Sequence, residues 1–291
     1  MEEKGSATPD DGEKNAFARL PDELVALIVV ATGDAHAVVC FGQTCRWMHA
    51  IASDDNVWRL LCMGRFGTLP EHILPGEFGR DWKWLYRAQS PSVRVAGHDV
   101  GKIVCATSGR VYNGDLYHGL AHGYGYALWT SKEKGIRTYR GQWFSGEMHG
   151  RGVWSPACGE ARDGQWVRGK VHGHCTYVWP DGSRYEGYST GGKTNGHGVY
   201  TWPDGSCYEG DWADGQTHGR GIQRYANGRV YDGQWAHDAR HGRGTQAWPS
   251  GARYEGDWVG DKRHGHGIIT YSNGSIYDGE WADGAPLRSI A

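Results

Sequence analysis

The chain has 291 residues and a formal net charge of −2, so it carries no field strong enough to gather nucleic acid or anionic lipid by charge alone. Its 47 glycines, 15 tryptophans and 16 tyrosines stand beside 5 phenylalanines and 4 methionines; glycine alone would read as disorder, but disordered chains are poor in aromatic rings, and the two together point to repetitive β-structure with rings lying over glycines. Seven cysteines without a Cys-x-x-Cys pair argue against a disulfide framework or zinc ribbon, no apolar run is long enough to span a bilayer, and Met1–Lys14 lacks the apolar core of a signal peptide, which makes the cytoplasm or a nucleus the expected compartment.

Residues 1–17 are charged and small and read as a disordered tail. Residues 18–66 have helical spacing. Leu20-Pro21-Asp22-Glu23-Leu24 opens a helix, with proline at the first helical position and acids in the first turn. Leu24, Leu27 and Ile28 form an apolar stripe; Thr32-Gly33-Asp34 ends that helix and caps the next. Val38, Val39 and Phe41 continue the apolar set, followed by Cys45-Arg46-Trp47-Met48, Ile51 and a closing segment through Trp58. The spacing predicts a trio of helices, too small to be more than marginally stable alone and helped by a partner. Residues 67–99 read as a linker, with prolines and glycines over 67–79 and a short helix over 80–89 whose Trp82, Leu85 and Tyr86 share a face.

From about Gly101 the pattern becomes β. Tyr208-Glu-Gly-Asp-Trp212 recurs as Tyr231-Asp-Gly-Gln-Trp235, Tyr254-Glu-Gly-Asp-Trp258 and Tyr277-Asp-Gly-Glu-Trp281, and the starting positions 139, 162, 185, 208, 231, 254 and 277 are each 23 apart. A weaker unit begins at Tyr112, set 27 residues before the next by an insertion around Ser131–Lys134. The array is therefore seven full units and a part unit over 101–284, followed by a tail at 285–291.

Within a unit, Tyr, Gly and Trp at alternate strand positions share one face, which assigns Tyr139, Trp143, Tyr208, Trp212, Tyr231, Trp235, Tyr254, Trp258, Tyr277 and Trp281 to structural packing. A turn leads to His-Gly-x-Gly, as in His218-Gly-Arg-Gly221, and a second strand runs to an aromatic residue and a turn such as Pro203-Asp-Gly205. Two strands per unit give about fifteen strands in one twisted antiparallel sheet. The expected register sets Trp opposite the first glycine of its own His-Gly-x-Gly and pairs Asp211 with Arg220 and Asp257 with His266.

This Tyr-x-Gly-x-Trp…His-Gly-x-Gly spacing resembles the MORN repeat. Units depart from it locally: Arg162 replaces the leading Tyr, Leu116 and Ser189 the Trp, Asn195 the His, Cys175 a Gly and Pro156 the late aromatic. These irregular units and the outward acidic positions are where a contact site is expected. The opening Leu-Pro-x-Glu-Leu, central Cys-Arg and closing Asp-x-x-x-Trp of residues 18–64 resemble the F-box, although Met48 stands where the pattern has Trp. The fold class is then α+β: a small three-helix F-box-like domain followed by an elongated, twisted antiparallel sheet of MORN hairpins. The F-box resemblance implies docking on the Skp-family linker of a cullin–RING ubiquitin ligase through Leu20, Pro21, Leu24, Ile28, Cys45, Met48 and Trp58, with the sheet holding a target protein. The combination resembles proteins of large DNA viruses of amoebae, which implies action in a host cytoplasm. The alternative is a scaffold at a membrane or the cytoskeleton.

Other chemistries find little footing. The repeated His-Gly places equivalent histidines in different units and calls for no metal, and Gly-x-Gly without a following helix fails as a phosphate loop. Cys40 and Cys45 read as buried apolar residues rather than nucleophiles. No Ser/His/Asp or Cys/His set stands out, so neither an enzyme nor a cofactor is expected.

Overall fold

The computed structural model describes residues 21–67, 80–90, 97–105, 109–131 and 135–287; the expected tails, with Leu20 and much of the expected linker, lie outside these. The chain divides into a helical unit reaching Arg94, with Asp99–Lys102, and a sheet unit containing the remainder.

The helical unit contains α1 (Asp22–Ala31), α2 (Ala35–Gly42), α3 (Arg46–Ala52), α4 (Asp55–Phe66) and α5 (Trp82–Gln89). Pro21 occupies the N-cap rather than the first helical position, and Asp22 and Glu23 fill the first turn of α1. Gly33 takes a left-handed φ of 64°, and the Asp34 carboxylate then accepts the His36 N–H at 2.9 Å to start α2. Residues 21–67 thus hold four helices rather than three, because α2 stops at Gly42. A Cβ there would lie 2.7 Å from the Ala52 Cβ, so glycine lets the chain turn against α3, and the Thr44 hydroxyl donates back to the Phe41 carbonyl at 2.8 Å.

Val25, Val29, Val38, Ile51, Trp58 and Leu61 form the helical core together with Leu85 and Tyr86 of α5. The Trp58 indole donates to the Ala52 carbonyl at 2.7 Å and meets the Tyr86 ring edge-on at 5.6 Å. Asp55 accepts the Trp82 backbone N–H at 2.7 Å, and Arg65 donates to the Tyr86 hydroxyl. The short helix expected inside a linker is therefore packed into the core, driven by its own apolar stripe. Burial, with the nearby Asp55 charge, pushes the Cys62 thiol up to about 12.

The sheet unit is built on a long, open antiparallel sheet of seventeen strands among the described residues. The count exceeds the expected fifteen because His98–Cys105 forms a strand at one end and the two-residue Ala285–Pro286 adds one at the other. Between them successive strands pair in chain order, as with Cys207–Ala213, Gln216–Arg224, Val230–Ala236 and Ala239–Ala247. The Pro-Asp-Gly turns follow their residue types: Gly182, at φ 90°, donates to the Trp179 carbonyl at 2.9 Å, and Asp181 accepts the Ser183 N–H at 2.9 Å.

Candidate docking surfaces

One face of the sheet is a ladder of rings. Tyr208 is fully buried; its hydroxyl donates to the Asp211 carbonyl at 2.9 Å, which draws the ring across Gly210 and Gly221. A Cβ on Gly221 would sit 2.4 Å from that hydroxyl and 2.5 Å from the ring, so the glycine is required by the tyrosine. Tyr139, Tyr208, Tyr231 and Tyr254 each also meet two tryptophans edge-on: Tyr208 lies 5.3 Å from Trp212 of its own unit and 5.3 Å from Trp235 of the next. The ladder indoles reach back one unit, as when Trp235 donates to the Gly221 carbonyl at 3.1 Å, Trp258 to Gly244 at 3.1 Å and Trp281 to Gly267 at 2.9 Å. Tyr139, Trp143, Tyr231 and Tyr254 are buried in the same ladder, while Trp212 and Tyr277 are half-buried. Burial raises the phenol pKa of Tyr139, Tyr208 and Tyr231 well above the ordinary tyrosine range.

The expected register holds between units, and within them it holds as far as the central glycines, Gly210 facing Gly221, before it slips at the tryptophan. Gly219 faces Trp235 and Arg220 faces Gln234 across the unit boundary, whereas inside the unit Trp212 faces Thr217. The pairing slips because Gly219, at φ 60°, begins a bulge. The bulge leaves the Arg220 N–H without a strand partner, and the Asp211 carboxylate accepts it at 3.0 Å. Gln142 serves Arg151 in the same way at 2.9 Å, Gln234 serves Arg243 at 2.7 Å and Asp257 serves His266 at 3.3 Å. The predicted Asp211–Arg220 and Asp257–His266 side-chain pairs are therefore replaced by carboxylate-to-backbone bonds. The Asp211 carboxylate instead lies 3.8 Å from His197 and that of Asp257 3.4 Å from Arg243, both of the preceding unit. The fourth position of the unit, read from sequence as open to water or a partner, is largely structural.

The irregular units are not loose. The missing Tyr at Arg162, the missing Gly at Cys175 and the missing Trp at Ser189 meet at one rung. With no ring at 162, Cys175 carries a side chain where glycine is otherwise required, and it is buried. Tyr177, paired with Arg162 across the strands, fills the vacated space and bonds the Ser189 hydroxyl at 3.0 Å. The Arg162 guanidinium stacks on Trp154 and Tyr177 at 5.1 and 5.4 Å and binds Glu160 at 2.7 Å. Burial pushes the Cys175 thiol up to about 11, opposed by its hydrogen bond to Tyr177.

The opposite sheet face carries Glu186, Glu209, Asp232, Glu255 and Asp278 in one row, separated by Val199, Ile222, Thr245 and Ile268. Arg184, Arg224, Arg253 and His266 lie 2.8, 3.8, 3.0 and 3.1 Å from Glu186, Glu209, Glu255 and Asp278. These pairs are exposed and individually weak, and they leave the face mixed in charge.

In the helical unit, Val25 and Val29 point α1 into the core and leave its other side open. Leu24, Leu27 and Ile28 are 47%, 53% and 44% exposed. A shallow groove beside them is lined by Ala26, Leu27, Ile51, Val57 and Leu60, with Asp22, Glu23 and Asp54 on its rim. Pro21 is also exposed, and so are Cys40 and Cys45, which their residue type had assigned to the interior. Met48 and Trp58, which the sequence placed on this surface, are 6% and 2% exposed and belong to the interior: the closing Trp anchors α4 to α5 and to the Ala52 carbonyl instead. Leu27 was missed as a surface residue, although the i, i+3, i+4 spacing from Leu24 to Ile28 already marked it.

A MORN-repeat family model matches residues 112–133, 139–155, 163–184, 185–207, 208–228, 231–253 and 254–276, and an F-box-like model matches 17–64. No curated protein matches the chain. Among solved structures, the TCP10 domain of Danio rerio CPAP, in complex with a peptide of Danio rerio STIL, is 11% identical over 62% of this chain and 83% of that one, with a TM-score of 0.33. A streptogramin B lyase is 9% identical over 66% of this chain and 86% of its own, with a TM-score of 0.15. At these scores neither likeness bears on architecture or role.

Proposed function

The chain belongs to the MORN-repeat family and carries an F-box-like domain ahead of its repeats, and on that footing we propose that it is an adaptor of a cullin–RING ubiquitin ligase. The helical unit docks on a Skp-family linker, and the repeat sheet holds the protein to be modified. The observation that carries this reading is the exposed aliphatic face of α1. Leu24, Leu27 and Ile28 present three large apolar side chains within two turns, beside an apolar groove with an acidic rim, and exposed apolar groups concentrated in this way fit an interaction surface. Pro21 and Cys45 extend it; Met48 and Trp58 support it from beneath. The role is one of binding, consistent with the usual character of both families.

The test is co-purification of the full chain with a Skp-family linker. Replacing Leu24→Asp and Leu27→Asp alters exposed positions only, so the fold should keep its unfolding midpoint while linker capture falls by roughly tenfold or more, the loss expected of central interface residues. Absence of capture by the unaltered chain, or capture indifferent to this double substitution, overturns the adaptor reading.

A further inference from the structure

The repeats contain two classes of aromatic residue. The ladder tryptophans give their indole N–H to a glycine carbonyl, as described above. The residues that end the second strands do not share this bonding. Trp179, Trp202 and Trp248 have no acceptor for their indole N–H among the described residues, and Tyr225 and Tyr271 have none for their hydroxyls. None of these groups is sealed from water. Tyr271 is exposed and the other four rings are half-buried. Packing accounts for the first class whole and for the second in part: Trp179, Trp202 and Trp248 lie half-buried against the ladder and Tyr225 carries the Arg229 guanidinium at 4.7 Å, while the polar hydrogens of all five rings stay unbonded among the described residues.

These five residues are 23 apart and stand at the same place in consecutive hairpins. They form a ridge along the array, each ring two strands from the next, or ~9.6 Å at ~4.8 Å per strand. Tyr200 fills the space between Trp179 and Trp202, at 5.2 and 4.5 Å from their centroids, so this end of the ridge is a continuous apolar ledge. A polyproline II helix rises ~3.1 Å per residue with three residues per turn, or ~9.3 Å per turn. Its repeat therefore matches that of the ridge: one proline face per ring, with unpaired backbone carbonyls placed to accept the free indole N–H groups. An α-helix laid along the same row rises ~5.4 Å per turn and bonds its carbonyls internally, and a β-strand shows the same face every ~6.7 Å, so neither repeat equals the ring spacing.

Charge gives the ridge a direction. Asp181 and Asp204 stand two residues beyond Trp179 and Trp202, in the same turns, and are exposed. Each carboxylate accepts a backbone N–H through Oδ1, from Ser183 at 2.9 Å and Ser206 at 2.8 Å, and stays exposed at the turn. The equivalent positions further along are the neutral Asn227, Ser250 and Asn273. We propose that the ridge binds a proline-rich segment in the polyproline II conformation, oriented with basic residues over the Trp179–Trp202 end. This rests on the reading of the sheet as the target-holding part and names the class of target.

The test uses the full chain and two labelled peptides, two arginines followed by twelve prolines and two arginines followed by six Gly-Ser pairs, with fluorescence anisotropy as the readout. The proline peptide should bind saturably and the Gly-Ser peptide roughly tenfold or more weakly, because it has the charge without the preformed helix. Trp202→Phe keeps the ring and the fold and removes the donor; it should weaken binding about fivefold, the size of one neutral hydrogen bond. Trp179→Ala with Trp202→Ala should weaken it more than about tenfold. Equal binding of the two peptides, no saturable binding of the proline peptide, or affinity unchanged in both variants overturns the proposal. Linker capture by the helical unit is measured separately: its loss sinks the adaptor reading and not the ridge, and lost peptide binding with capture retained sinks only the ridge.

Discussion

From Tyr208 to Trp281 the array repeats one rule without exception, whereas between Arg162 and Ser189 it breaks that rule three times. In the regular stretch, the Tyr208, Tyr231 and Tyr254 rings each cover two glycines and stand between two tryptophans, while Tyr277, in the part unit that ends the array, has one of each. At the irregular rung the ring is absent, and both of its dependants have changed: the glycine has become Cys175, and the next tryptophan has become Ser189. The lesson is that the repeat is a coupled set rather than a list of preferred residues. Glycine is present because a ring needs its space, and where the ring is gone a side chain returns and Tyr177 closes the gap.

This comparison can be broken most severely at Gly221. Gly221→Val drives a branched side chain into the Tyr208 ring and should cost about 3 kcal/mol or more, the combined price of overpacking and a displaced aromatic. Cys175→Gly, at the equivalent place under no ring, should cost only about 1 kcal/mol, the size of a small buried truncation. Urea unfolding midpoints of the two variants give the contrast, and equal losses would mean that the ring does not set the glycine.

Next in size is the attempt to restore the rule. Arg162→Tyr alone brings a ring onto Cys175 and should destabilise by about 1–3 kcal/mol. Adding Cys175→Gly should recover at least ~1 kcal/mol of that loss, a non-additivity expected only for residues in contact. Additive effects in a double-mutant cycle would separate the two departures.

The ladder bond between units is smaller. Trp235→Phe retains a ring but leaves the Gly221 carbonyl without its indole donor, and should cost about 1–2 kcal/mol. Ser189→Ala removes hydroxyl bonds to the Val171 and Lys193 carbonyls, at 3.4 and 2.9 Å, as well as the Tyr177 contact, and should cost about the same if the irregular rung is bonded as tightly as the regular one.

Near neutral pH the smallest difference is expected, and it grows with alkalinity. Buried Cys175 has its thiol pKa raised to about 11, so its contribution is complete below the unfolded thiol value of ~8.5 and fades as pH rises from there through about 11. The regular rungs depend on Tyr208 and Tyr231, whose phenol pKa values burial raises; their contribution is complete below the unfolded tyrosine value of ~10 and declines only above it. The irregular rung should therefore loosen first as pH climbs, detectable as alkylation of Cys175 before the spectroscopic ionisation of the ladder tyrosines. Simultaneous onset of both signals would refute the ordering.

Much of this was legible without coordinates. The 23-residue period, the shared face of Tyr208, Gly210 and Trp212, and the apolar stripe of Leu24, Leu27 and Ile28 are periodicities, and periodicity alone assigns residues to faces. It assigned ten aromatic residues to packing, and the resemblance of the repeated motif to the MORN repeat supplied the family that the family model matches. Periodicity did not distinguish the inner surface of a small helical unit from its outer one: Met48 and Trp58 have the composition of an interface, yet both are buried, Trp58 because α5, distant in sequence, closes over α4. Nor did it foresee the two kinds of tryptophan, since a ladder indole and a ridge indole are the same residue at different depths.

The amino-acid sequence by itself determined the order of the two units, the hairpin repeat and the residues that must lie beneath rings, because these follow from local spacing and from side-chain volume. Tertiary structure alone decided the slip of register within each unit, the bulge that turns Asp211 and Gln234 into acceptors for the backbone, and the compensation among Arg162, Cys175 and Ser189. Those depend on which strand lies beside which, and hydrogen bonds left open by a bulge can be counted only once both neighbours are in place.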